Sequence, residues 1–260
     1  MAAATLPDRA TLPDRATLPD RADLLDRSDR SDRSGWSGWS GRVPLAALAA
    51  ALAAPTELEQ ATRVLAAAGH PPAGLTLGTG DRLLLGVHRA LTGRDVTVAA
   101  ACPACGALGE VELAADALPP PSPVAGPLRP PTYADLAGLP PGERGAAELV
   151  RRCSAGQGET DLGHAAPAEP TPPEPAPADL AAVDDSLCGP LVFACPECGE
   201  PVRCPVDAQT LALRGLLELL RRYDREVHLL ASAYHWDLAT IEALPDDRRG
   251  RLARHVEAER

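Results

Sequence analysis

Cys102-Pro-Ala-Cys105-Gly106 and Cys195-Pro-Glu-Cys198-Gly199 are two copies of one pattern, Cys-Pro-x-Cys-Gly, with 89 residues between Cys105 and Cys195. Cys-x-x-Cys places two sulfurs on one tight turn, and two such turns supply the four soft ligands of a closed tetrahedral zinc site. The glycine after each second cysteine lets the backbone fold back, so that knuckle amides reach the sulfurs. The pattern predicts one structural Zn2+ per chain, held by Cys102, Cys105, Cys195 and Cys198 in a small zinc ribbon. The stretch between the knuckles is then an insertion hung from that ribbon.

Two rivals compete for the same cysteines. A local quartet of Cys188, Cys195, Cys198 and Cys204 would leave the first knuckle orphaned. A redox Cys-Pro-x-Cys pair normally stands once, at the start of a helix in a βαβ context, which neither copy has. Cys153, Cys188 and Cys204 read most simply as small buried or spare thiols. Seven cysteines, four of them in knuckles, fit a reduced, cytoplasmic compartment better than a disulfide framework.

Strands are expected on either side of each knuckle. Val96, Val98 and Ala100 alternate into the first, and residues 110–113 return from it. Leu191-Val192-Phe193 enters the second, and Val202 follows it. Before the ribbon, residues 43–68 are helix-prone, with Thr56 placed to cap and Glu59 three residues later. A second helix is expected over 81–92, with Leu83, Leu84, Val87 and Leu91 on one face and Gly93 as its stop. After the ribbon, apolar residues from Leu213 to Tyr234 recur at spacings of three and four, predicting one long helix. A turn at His235-Trp236 leads to a short helix over 238–244 capped by Asp237, and Pro245 opens a last helix through residue 257.

The expected fold class is therefore α+β, mainly helical, with short antiparallel strands forming a two-knuckle zinc ribbon. Residues 1–42 form a repeat tail expected to be disordered: Ala-Thr-Leu-Pro-Asp-Arg occurs three times, followed by Ser-Asp-Arg triplets and a doubled Ser-Gly-Trp. A period of six with a proline in every copy suits neither a solenoid nor a helix. Residues 43–94 form a helical region, 95–118 the first half of the ribbon, and 187–206 the second. The insertion, 119–186, holds a proline-rich linker, a short helix over 133–152 and an acidic run, 154–178, expected to be disordered. Residues 207–260 carry the long helix and a helical hairpin.

Composition narrows the function. Hydrophobic residues reach 45%, but alanine dominates them and aromatics are only 3%, so the usable core is small. A formal net charge of −11, with arginine carrying all 25 positive charges, argues against a general binder of polyanions. No apolar run reaches the roughly 18–20 residues needed to span a bilayer. The six histidines form no HExxH motif, and no P-loop, Rossmann or G-x-S-x-G pattern is present. The chain reads as a non-enzyme, with Asp184-Asp185 and Asp246-Asp247 as capping or solvated pairs.

The closing segment, Arg225-Glu226-Val227-His228-Leu229-Leu230-Ala231-Ser232-Ala233-Tyr234-His235-Trp236, is followed by Ile241-Glu242-Ala243-Leu244-Pro245 and Arg248-Arg249. With the two knuckles, it resembles a family of zinc-ribbon proteins encoded with contractile phage-tail-like systems. That family is similar to the baseplate or hub assembly proteins of contractile-tailed phages. Arg152-Cys153 resembles the close of the family's insertion helix. The repeat-bearing N-terminus departs from the pattern, as does Glu242, where the family has an aliphatic residue.

The resemblance implies a non-enzymatic assembly factor or minor baseplate component whose partners are baseplate or spike proteins. Tyr234, Trp236 and Leu244 would offer an apolar docking surface on the hairpin, or would close the hairpin's own core. The alternative function is a zinc-ribbon nucleic-acid-binding or transcription-associated protein, its C-terminal helices acting as a helix-turn-helix. From Arg214 onward there are nine arginines against nine acidic residues, which leaves no basic recognition face.

Overall fold

The computed structural model describes residues 43–115, 128–154 and 176–259, all within one unit, Gly41–Arg260. The repeat tail and most of both the proline-rich linker and the acidic run lie outside the described residues.

Four helices build the main core, and each contributes the stripe its sequence spacing dictates. Helix α1 (Leu45–Leu52) buries Leu48, Ala51 and Leu52, and α2 (Glu57–Ala67) buries Ala61, Val64 and Leu65. Both are i, i+3, i+4 sets. Thr56 caps α2 as expected, its hydroxyl accepting the Glu59 amide at 3.2 Å. After a short 3₁₀ turn (Pro72–Gly74) comes α3 (Leu77–Thr92), which ends at Gly93 in the left-handed region (φ 75°). Helix α3 starts four residues earlier than expected, capped by Thr76. Its buried stripe is Asp81, Leu84, Leu85 and His88, together with Val87. Leu83 and Leu91 are only half-buried, so the expected face is rotated toward Asp81 and His88, and Arg82 is buried beside them.

Strand β1 (Val96–Ala101) pairs antiparallel with β2 (Leu108–Leu113), in register from Val96 opposite Leu113 to Ala101 opposite Leu108. The second hairpin pairs β3 (Cys188–Ala194) with β4 (Pro201–Asp207), from Cys188 opposite Asp207 to Ala194 opposite Pro201. The hairpins form two separate two-stranded sheets. The chain is thus a mainly helical α+β protein with short antiparallel strands.

Between the hairpins, the expected single helix divides into α4 (Tyr133–Leu136) and α5 (Glu143–Cys153), followed by α6 (Pro177–Val183). The Arg129 guanidinium grips the Asp135 carboxylate at 2.6 and 2.9 Å, holding it well below the usual carboxylate range. Arg152 donates to the Asp135 and Ala137 carbonyls, both at 2.8 Å, tying α5 to the end of α4. Cys153 is fully buried among Leu128, Val150 and Val183.

This insertion does not hang from the knuckles alone. Thr76 forms a bridge with Thr132, and the Leu77 amide donates to the Pro131 carbonyl at 3.1 Å. At the other end, Asp185 accepts from the Thr76 hydroxyl at 2.6 Å and from the Gly78 amide at 3.0 Å. Asp81, also buried, accepts the Leu187 amide at 2.7 Å. Both ends of the insertion are therefore fastened to the first turns of α3.

Helix α7 (Ala208–Tyr234) has 27 residues, about 40 Å of helix, too long for one core to cover. Its first half buries Ala208, Ala212, Leu213 and Leu216 in the main core. Its end supplies Leu229 and Leu230 to a second core with Ile241 of α8 (Leu238–Glu242) and Ala253 and Val256 of α9 (Asp246–Ala258). Among the described residues no helix is long and apolar enough to cross a membrane.

Candidate metal centre

The two knuckles repeat one backbone design. In the first, the Gly106 amide donates to the Cys102 carbonyl at 2.9 Å, and the Cys102 amide to the Ala107 carbonyl at 2.8 Å. In the second, Gly199 donates to Cys195 at 3.0 Å, and Cys195 to Glu200 at 2.8 Å. Gly106 and Gly199 close these turns at φ 75° and 76°, a conformation that strains any residue with a Cβ.

The turns bring four sulfurs together. Cys102 Sγ lies 3.7 Å from Cys198 Sγ, Cys105 Sγ lies 3.6 Å from Cys195 Sγ, and all four sulfurs fall within 4.8 Å of one another. A disulfide needs about 2.05 Å, so these are separate thiols. A tetrahedral zinc with bonds of about 2.3 Å would set its sulfurs about 3.8 Å apart. The cross-knuckle distances match that tetrahedral edge, so the donor set fits a metal ion in type, number and spacing. Among the described residues this is the one cluster of metal-ligating side chains.

The first cysteine of each knuckle is buried and the second exposed. Cys102, Cys195 and Val202 form a small core, with Ala100, Ala107 and Phe193 packed against it. Phe193, the only phenylalanine, lies over Gly109, where a Cβ would come within 2.5 Å of its ring. Cys195 and Cys198 hold their protons unequally. Amide donors from Cys198 and Glu197 draw the Cys195 thiol down to about 7. The Glu200 amide favours the Cys198 thiolate, but the Cys105, Cys102 and Cys195 thiols and desolvation outweigh it and push Cys198 up to about 12.

The remaining sequence candidates sit elsewhere. Cys188 and Cys204 lie outside the cluster, Cys188 exposed and Cys204 buried, so the local quartet does not form. Tyr234 and Trp236 stack at 4.8 Å between ring centroids and, with Leu244, pack half-buried on the second core. Glu242 accepts a hydrogen bond from the Tyr223 hydroxyl at 3.0 Å. Several C-terminal arginines face acids of their own, including Arg222 with Glu226, Arg225 with Glu257 and Arg251 with Asp247.

The fold and the site together define a mainly helical α+β protein with a four-cysteine clasp joining two β-hairpins. Against known proteins, the chain matches no family model, no curated protein and no solved structure.

Proposed function

We propose that the chain is a non-enzymatic interaction protein whose four cysteines hold one structural zinc. We further propose that it assists a contractile phage-tail-like particle, as an assembly factor or minor baseplate component. The observation that carries the zinc reading is the spacing of the four sulfurs, 3.6 and 3.7 Å across the knuckles. A zinc bound by four thiolates keeps no open coordination position, so its contribution is to folding rather than chemistry. The clasp fixes the two hairpins, and the second hairpin runs directly into α7. The metal would thereby set the position of the long helix and the hairpin beyond it.

The choice of partner rests on the resemblance of residues 225–249 and the two knuckles. The docking surface proposed is the outer side of Tyr234, Trp236 and Leu244, whose inner sides support the second core. Leu238 beside them is 53% exposed and extends the apolar surface.

Metal analysis of the purified chain tests the clasp: one zinc per chain is expected, and a metal-free, fully folded protein would overturn it. Deletion of the gene tests the partner. Loss of assembled particles and co-purification with baseplate or spike components are expected. Normal sheathed particles in the deletion strain would sink the assembly reading and leave the clasp standing.

A further inference from the structure

We infer that the cleft between the C-terminal half of α3 and the first half of α7 binds a small ligand through a carboxylate or phosphate group. The cleft has a volume of about 580 Å³ and is lined by His88, Arg94, Arg214, Gly215, Glu218 and Arg222, among others. That size falls in the range of small-molecule sites, roughly 300–1,000 Å³.

Its floor is built at a cost to stability. His88 is 6% exposed, and its Nε2 lies over Gly215, where a Cβ would come within 2.4 Å of it. Its other ring nitrogen, Nδ1, is 3.5 Å from the Thr92 hydroxyl. Glycine is a poor residue for a helix interior, and an imidazole is a costly one for a core. An alanine at 215 and an aliphatic residue at 88 would serve packing better. Such departures from local rules collect where function requires them. Burial lowers the His88 pKa, and the Arg94 backbone, to which the ring hydrogen-bonds, opposes this.

The walls carry the charge. Arg214 and Arg222 are eight residues apart on α7 and share one face, with Glu218 between them; Arg94 comes from the turn after α3. Among the described residues the Arg94 and Arg214 guanidiniums take part in no ion pair, whereas Asp95 is drawn to Arg89 at 3.7 Å and Arg222 to Glu226 at 3.8 Å. In a chain of net charge −11, two guanidiniums outside any ion pair, lining one cleft with His88, make a local site for an anion. The planar guanidinium fork matches both carboxylate and phosphate. Glu218 and Asp95 limit the lining to one net positive charge, which favours one compact anionic group over a polyanion.

The test is a titration of the full, zinc-loaded chain at pH 7, with ionic strength held by chloride. Inorganic phosphate and succinate are the two probes, and NMR follows the His88 ring and the Gly215 amide. Saturable shifts with either probe are expected, and the tighter probe identifies the group recognised. Arg94→Gln and Arg214→Gln, both at exposed positions, should each weaken binding by about tenfold. Shifts that stay linear with both probes, or saturate identically in both variants, would overturn the site.

Discussion

The Asp185 carboxylate accepts the Gly78 amide at 3.0 Å across 107 residues of sequence, and the Asp185 carbonyl sits where a Gly78 Cβ would be, 1.8 Å from it. This contact docks the end of the insertion onto the first turn of α3. It also reverses the usual effect of a helical glycine. Alanine normally gains about 0.5–1 kcal/mol over glycine in a helix. Gly78→Ala should instead destabilise the chain by about 2 kcal/mol or more, because the backbone of residue 185 must move. Gly86→Ala, in the same helix with nothing within 4 Å of its Cβ, should stabilise by up to about 1 kcal/mol. Urea midpoints of the two variants should move in opposite directions.

Asp81 lies one turn further along α3 and gives the fold a pH dependence. Burial pushes its carboxyl from 3.8 up to about 7; the Leu187 amide opposes this, while Asp207, Asp184 and Asp185 add to it. A raised carboxyl pKa means that the folded state binds the extra proton. Its contribution is fully present below about pH 4 and is lost as pH rises through 7. The shift corresponds to roughly 4 kcal/mol at most. Asp81→Asn keeps an oxygen for the Leu187 amide and carries no charge, so it should be more stable than the parent at pH 8. That advantage should shrink steadily toward pH 5.5, as read from urea unfolding at each pH.

The elements legible in the sequence were those with local signals. Thr56 and Asp237 announced their helices as caps, Gly93 ended α3, and the spacing from Leu213 to Tyr234 gave α7 its length. The four-cysteine cluster was legible because each knuckle carries its own ligands and its own turn glycine. The start of α3 was not. Gly78 and Gly80 resemble breakers, yet they are present because Asp185 and the Tyr133 ring occupy the space of their missing side chains. Asp81 and His88 were missed for the same reason. Their burial depends on Leu187 and Gly215, more than a hundred residues away, and no local pattern encodes such partners. Asp184-Asp185 reads as a capping or solvated pair; Asp185 does accept an amide of the first turn of α3, but of a helix more than a hundred residues away, and so fastens the insertion.

Zinc binding at the clasp should depend steeply on pH. The Cys105 and Cys198 thiols are both raised above their ordinary value, so both are protonated between pH 6 and 8. A metal must displace those protons, and each one displaced changes the apparent affinity tenfold per pH unit. Zinc affinity should therefore fall by about 100-fold or more per unit as pH drops across this window. Chelator competition at two pH values, corrected for the chelator's own protonation, measures it. Cys105→Ser and Cys198→Ser should each abolish stoichiometric zinc, whereas Cys188→Ser should leave it unchanged. Zinc lost on Cys188→Ser would contradict the ligand set.

Beside the second core, one buried guanidinium ties the C-terminal hairpin to α7. Arg249 is 7% exposed, donates to Glu226 at 2.9 Å and to Asp246 at 2.9 Å, and lies over the Tyr223 ring at 4.8 Å. Removing it leaves the Glu226 carboxylate, 13% exposed, without its principal partner. Breaking one side of a buried pair costs about 3–5 kcal/mol, because the remaining charge is stranded. Arg249→Met should approach that loss. Adding Glu226→Gln should restore part of it, since the stranded charge is then gone. Arg251 and Asp247 are closer still, at 2.7 Å, but 64% and 70% exposed, so Arg251→Met should cost less than about 1 kcal/mol. Thermal unfolding of the four proteins should separate the pairs by burial rather than by distance.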